Sequence, residues 1–306
     1  CFAPVLDRMG NVVVVKEGTG DAPRKRVMVS AHMDEVGLIV TSATEDGYLR
    51  IAAAGGIDPR VLVSKRVTVG EDKLPGVIGA VPIHLQSAAE RKHVLSMDEL
   101  LVDIGAKNKD EAECKAPMGT YISFDTPYVE YGDGFACGKA FDDRVGCLSL
   151  LRLLQEELPV DLVACFVSEE EVGCRGAKGA AFQQEPDVGI VLEGTTCNDL
   201  GDVPETAHVC EAGQGVAVSF MDGASIANRA LFRKALDVAK QENIPHQVKH
   251  SVSGGNDGGA IQRAREGVPV VVLSVPCRYI HSPSSVVKLS DVESQFALVK
   301  ALVKAL

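Results

Sequence analysis

Val27-Met-Val-Ser-Ala31 reads as a short apolar strand, and His32 and Asp34 follow it at once. The same arrangement recurs along the chain. Residues 162–167 are followed by Glu169, Glu170 and Glu171, residues 188–192 by Glu193, and residues 270–275, a few positions on, by His281. These runs are rich in Val, Leu and Ile without polar alternation, the pattern of strands covered on both faces. Val145, Leu148, Leu151, Leu154 and Leu158 recur at three- and four-residue steps, which predicts a helix over 147–158 stopped by Pro159. Asp142 and Asp143 stand at its N-terminus. Ser290-Asp-Val-Glu293 reads as a capping box for a last helix, with Val292, Phe296, Val299, Val303 and Leu306 as its apolar stripe. Apolar strands separated by helices define an α/β fold, with a mostly parallel or mixed sheet covered by helices.

The texture changes between the first strand and these later ones. Short β-type segments at 48–52, 60–69, 77–82, 121–124 and 128–130 are separated by Gly, Pro and Asp, with one brief helix near 108–115. This is the composition of a small β-rich module. Because α/β texture resumes after it, residues 41–133 are read as an insert domain in a larger domain of 1–40 and 134–306. At ~150 residues per domain, 306 residues accommodate both.

In a parallel sheet the carboxyl ends of the strands lie along one edge, where such folds bind ligands. The reading therefore brings two His and several carboxylates from five segments to one rim. Carboxylates so grouped raise one another's pKa unless a positive charge lies between them. One or two divalent cations of the borderline type, such as Zn or Co, are the simplest solution. Elsewhere the chain carries 31 basic against 42 acidic residues, a net charge of −11. That balance disfavours nucleic acid and anionic membranes as partners. The longest apolar run, around 268–275, is broken by Pro269 and is too short to span a membrane, and residues 1–9 do not read as a signal peptide. The chain opens on Cys1 rather than Met, so part of the natural N-terminus is expected to be missing. Nine scattered cysteines without a CxxC pair read as reduced, mostly buried thiols of a cytoplasmic protein.

Ala31-His-Met-Asp-Glu-Val-Gly37, Gly138-Lys-Ala-Phe-Asp-Asp-Arg144, Glu170-Glu-Val-Gly-Cys-Arg-Gly-Ala177, Gly254-Gly-Asn-Asp-Gly258 and Arg278-Tyr-Ile-His-Ser-Pro283 resemble, in order, the motifs of the M42 metallo-aminopeptidases. The resemblance runs from about Gly10 to the C-terminus. It implies a zinc-exopeptidase-type catalytic fold with a β-rich dimerisation-type insert. It also implies hydrolysis of the N-terminal peptide bond of peptides at a pair of divalent metal ions, with Zn or Co favoured and Mn admissible. Asp142 would bridge the two ions, with His32 and Glu193 completing one site and Glu171 and His281 the other. Glu170 would be the general base, and Asp34 would orient the His32 imidazole. The Asp142–Asp143 peptide would be cis, and Asn256 and Asp257 would lie at substrate contacts. Family members assemble as dimers or dodecamers, so a homo-oligomer is expected. Three other readings remain: a deacylase or carboxypeptidase of the same fold, a glycoside hydrolase using paired carboxylates, and a non-catalytic metal-binding protein.

Overall fold

The computed structural model describes residues 2–306. Cys1, one of the nine cysteines read above, lies outside the described residues. The chain opens with β1 (Val5–Leu6), β2 (Val12–Lys16) and β3 (Arg26–His32). It continues through β4 (Gly37–Ala43), β5 (Leu49–Ala54), β6 (Arg66–Val69), β7 (Leu74–Gly79), β8 (Leu101–Asp103), helix α1 (Lys109–Lys115) and β9 (Tyr121–Phe124). After β10 (Val129–Tyr131) and β11 (Phe135–Gly138), helices and strands alternate. These are α2 (Phe141–Leu153), β12 (Asp161–Val167), α3 (Arg175–Gln184), β13 (Val188–Thr196), β14 (Val216–Ser219) and α4 (Arg229–Gln241). Next come β15 (His246–Val248), α5 (Asp257–Gln262), β16 (Val270–Arg278), β17 (Ser285–Lys288) and α6 (Leu289–Lys304). Contacts divide the chain into two units. The larger comprises the chain up to Asp34, Val129–Ile280 and Ser285–Leu306; the smaller comprises Glu35–Tyr128 and His281–Ser284.

Among the described residues, eleven strands of the larger unit form one mixed sheet in the order β1-β2-β12-β3-β13-β16-β17-β11-β10, with β14 on β16 and β15 on β14. The four neighbours β12, β3, β13 and β16 run parallel. Their side chains alternate between two cores, as the two-residue strand period requires. Val27, Val29, Ala31, Leu162, Ala164 and Phe166 pack with Leu150, Leu153, Leu231, Ala235, Leu298 and Leu302 of α2, α4 and α6. Met28, Val163, Cys165 and Val167 face the other way, onto Ala177, Ala180, Ala181 and Ile261 of α3 and α5. A sheet covered on both faces explains why these strands carry no polar alternation. The smaller unit is a closed six-stranded barrel, β4-β5-β8-β7-β6-β9, around its own core of Leu38, Leu49, Ile78, Val102, Ile122 and Phe124.

Several local expectations are corrected. In α2 the inward face is Val145, Cys147, Leu150 and Leu153, while Leu148 and Leu151 are 47% and 51% exposed. The helix starts earlier than its apolar spacing suggests, at Phe141, and ends at Leu153; the sheet beneath it selects the buried face. The capping box at Ser290 does not form; Lys288 is the N-cap and makes no side-chain cap bond. Instead Asp291 is buried and accepts the Gly213 and Gly215 amides at 2.6 and 2.9 Å, and Glu293 turns out to Arg152. The predicted strand at 60–69 begins as a 3-10 turn, Pro59–Val61, before β6. Residues 128–130 were read with the insert, yet β10 pairs with β11 in the large sheet.

Candidate metal centre

His32 ends β3, and its neighbours across the sheet determine what surrounds it. β12 ends at Val167, the register partner of His32, and leads into the loop of Glu169, Glu170 and Glu171, while β13 continues through Glu193 to Thr196. Glu193 is therefore a strand residue rather than the first residue beyond a strand. Asp142 comes from the first turn of α2, where backbone angles at Asp142 and Asp143 are not helical and the peptide between them is cis, as the resemblance implied.

His32 is the hub. Its Nε2 lies 3.3 Å from Asp142 Oδ1, 3.6 Å from Glu193 Oε2 and 4.0 Å from Glu170 Oε2. Its Nδ1 is 3.1 Å from the Asp34 carbonyl oxygen and 3.6 Å from Asp34 Oδ1. One donor atom each from His32, Asp142 and Glu193 falls within a 4.8 Å span, and so does one each from His32, Glu170 and Glu171. The Asp34 carboxylate also accepts the backbone N–H groups of Glu170 and Glu171, at 3.1 and 3.0 Å. Bonds from His32 and these two amides outweigh the cost of its burial and hold its pKa below the usual carboxylate range.

Electrostatics point the same way. Burial pushes the Glu193 carboxyl well up, Glu170 and Asp142 add to the rise, and His32 opposes it. Burial also raises Glu170, with Asp142 and Asp34 contributing. Burial would lower His32, but bonds to Asp142 and Asp34 and the charge of Glu193 lift it well above its ordinary value. The Glu193 side chain is buried and its Oε1 has no hydrogen-bond partner. A buried carboxylate oxygen without a donor is costly, and an imidazole with several carboxylates is a donor set suited to a borderline divalent cation. The residues present fit a metal.

Three supports escaped the sequence reading. Asp143, fully buried, accepts the amides of His32 at 3.2 Å and Gly146 at 3.0 Å. Cys147 Sγ donates to the His32 carbonyl at 3.1 Å. A Cβ at Gly146 would lie 2.4 Å from Asp143 Oδ2, so only glycine lets that carboxylate fold back. In the sequence Asp143 reads as part of a helix N-terminus, and nothing in its spacing links it to His32. Asn256 caps α5 by accepting the Gly258 N–H and gives its Nδ2 to Asp222 Oδ2 at 2.9 Å. Asp257 is 1% exposed beside Glu170 and Cys174. His281 belongs to the smaller unit, where its Nδ1 is 2.9 Å from the Gly56 carbonyl. A proton held there leaves Nε2 as the basic ring nitrogen.

A parallel-strand rim carrying an imidazole–carboxylate cluster is the architecture of a protein with a site able to hold a divalent cation. The chain belongs to the M42 glutamyl aminopeptidase family, whose model matches residues 10–298. It is 35% identical over 305 residues to a putative aminopeptidase of Acetivibrio thermocellus, covering 98% of this chain and 87% of that one. It is 34% identical over 311 residues to the lysyl aminopeptidase of Pyrococcus furiosus, covering 98% and 86%. Among solved structures it resembles the Pyrococcus horikoshii TET1 peptidase, described as assembling into a tetrahedron or a large octahedral shell. That likeness has a TM-score of 0.87 and 32% identity, over 100% of this chain and 90% of that one. The expected fold class and family are borne out. The chain is a peptidase, and no helix among the described residues is long and apolar enough to cross a membrane.

Proposed function

We propose that this chain removes N-terminal residues from peptides at a centre of two divalent cations, Zn or Co in preference to Mn. The observation that carries the reading is the convergence of His32, Asp142 and Glu193 within 4.8 Å, with one buried Glu193 oxygen lacking any donor. His32 and Glu193 would hold one ion and Glu171 and His281 the other, with Asp142 serving both. Such ions lower the pKa of water from 15.7 to about 7 and polarise a carbonyl. Glu170 takes the proton of the attacking water and returns it to the leaving amine. Its 4.0 Å separation from His32 and its half-buried surroundings keep it beside the ligands. Asp34 fixes the His32 ring and, through two amide bonds, the backbone from which the base and a ligand both hang. Likeness to the TET1 peptidase supports a homo-oligomer, and eight free cysteines among the described residues fit a reducing, cytoplasmic setting.

The test combines metal analysis with a panel of free and N-acetylated aminoacyl anilides, each assayed under Zn, Co and Mn. Hydrolysis confined to free amines, abolished by chelator and restored by metal, is expected. Cleavage of the acetylated substrates would instead make the chain a deacylase. Glu170→Gln should bind metal normally and lose ~10²–10⁴-fold in kcat; near-normal turnover in that variant would sink the assignment of the base. Asp142→Ala and His281→Ala should lose metal as well as activity.

A further inference from the structure

One buried acid near the centre has no structural employment. Asp257 opens α5, but the cap there is Asn256, and neither Asp257 oxygen has a hydrogen-bond partner. Both oxygens are shielded from solvent, so a substrate ammonium cannot reach them. What does reach them is the base and its neighbour. Donor atoms of Asp257, Glu170 and Cys174 lie within 4.8 Å of one another, and Cys174 Sγ donates to Glu170 Oε1 at 3.4 Å.

Burial pushes the Asp257 carboxyl up to about 8, with Glu170 and Asp34 adding and His32 opposing. The groups that act on it are Glu170 from the loop after β12, Cys174 at the start of α3, Cys165 on β12, and His32 and Asp34 at the end of β3; β13, which carries Glu193, and β16 also pack against α5. An acid with no donor in a dry site stays neutral near pH 7, and a neutral carboxyl is a hydrogen-bond donor. The acceptor in reach is the Glu170 carboxylate.

We propose that Asp257 is a positioning residue, a neutral carboxylic acid that together with Cys174 backs the Glu170 carboxylate and holds it in the orientation its proton transfer needs. The proposal rests on the reading of Glu170 as the base. Donor atoms of the two carboxyls lie within 4.8 Å of one another, close enough for the packing of Asp257 to constrain the orientation of Glu170. Ionisation of Asp257 at alkaline pH places a second negative charge behind the base and turns it away.

The test uses the full metal-loaded chain, with kcat and KM on a free aminoacyl anilide from pH 6 to 9.5 and metal content measured alongside. Asp257→Ala removes the donor and should lower kcat ~10–100-fold with KM unchanged, the range typical when a group supporting a catalytic residue is removed. Asp257→Asn keeps a donor without an ionisable proton. It should lose far less kcat than Asp257→Ala and lack the alkaline fall that the wild-type chain shows near pH 8. Wild-type kcat in metal-loaded Asp257→Ala would overturn the proposal. So would an alkaline fall that persists in Asp257→Asn, a readout that stands even if the alanine variant fails to fold. Undiminished turnover in Glu170→Gln would instead overturn the reading of the base, so the two failures are distinguishable.

Discussion

Gly194 donates its backbone N–H to Asp142 Oδ1 at 3.2 Å, and a Cβ at Gly194 would lie 3.1 Å from that same oxygen. The contact works because β13 passes the first turn of α2 with no side chain between them. The carboxylate proposed to be shared by both cations is thus held by a strand amide at a position where any Cβ would press on it.

Gly194→Ala should therefore weaken metal binding without deleting a ligand. The Asp142 side chain and backbone must shift by a few tenths of an ångström. Roughly 10–100-fold weaker metal affinity is expected, with little change in the far-ultraviolet circular dichroism. Titration of the apoprotein with zinc or cobalt checks it, and unchanged affinity would mean that Asp142 is held by other contacts.

Asp34→Asn should impair turnover more than it impairs folding. The native carboxylate accepts from two successive amides, Glu170 and Glu171, while lying 3.6 Å from the His32 ring. An amide group has only one oxygen, and its NH2 would face a backbone N–H. A kcat loss of ~10–100-fold is expected, measured beside the melting temperature. Wild-type kcat would show that the loop keeps its position without the clamp.

Asp257 gives a stability prediction of fixed sign. Burial holds its folded pKa at about 8, above the 3.8 of a free aspartate. Below pH 3.8 the carboxyl is protonated in both states and costs nothing. Between 3.8 and about 8 the unfolded chain loses the proton and the folded chain keeps it, so stability falls as pH rises, by up to ~1.4 kcal/mol per unit. Above about 8 the penalty stops growing. Asp257→Asn should remove this dependence and raise the melting temperature most near pH 8, as urea denaturation from pH 4 to 9 would reveal. A variant less stable than wild type at pH 8 contradicts the prediction.

Asn11→Ala should loosen the glutamate loop from outside the centre. Asn11 is fully buried; its Oδ1 accepts the Ser168 N–H at 2.9 Å, and its Nδ2 donates to the Gly176 carbonyl at 3.0 Å. Losing both leaves the Ser168 N–H without its acceptor, at about 1–3 kcal/mol, and frees the first turn of α3 from its tie to Asn11. Faster amide exchange across residues 168–176, with exchange in β12 unchanged, is the expected signature.

The catalytic side of the fold was legible because burial on both faces wrote itself into β3, β12, β13 and β16 as unbroken apolar runs, and the acids at their ends broke those runs abruptly. The faces of α2 and the cap of α6 were not, since they depend on partners distant in sequence. Leu148 and Leu151 look as apolar as Leu150 until the sheet is there to choose among them, and Asp291 is drawn from its helix by the amides of Gly213 and Gly215. Asp34 was singled out for His32 alone. Its hold on Glu170 and Glu171 spans more than 130 residues and leaves no local trace. The burial of Asp257 was equally hidden, because a Gly-rich turn before a short helix reads as surface.

The tether at Asp34 has an evolutionary consequence. Because a single carboxylate anchors the backbone amides of two adjacent glutamates, a change at Asp34 disturbs both the residue proposed to move protons and the one proposed to hold metal, whereas a change in either glutamate side chain leaves both amides tethered. Drift at that aspartate strikes both roles together. A lineage repurposing this scaffold for binding without turnover would more readily alter the tip of the Glu170 side chain than the anchor beneath it.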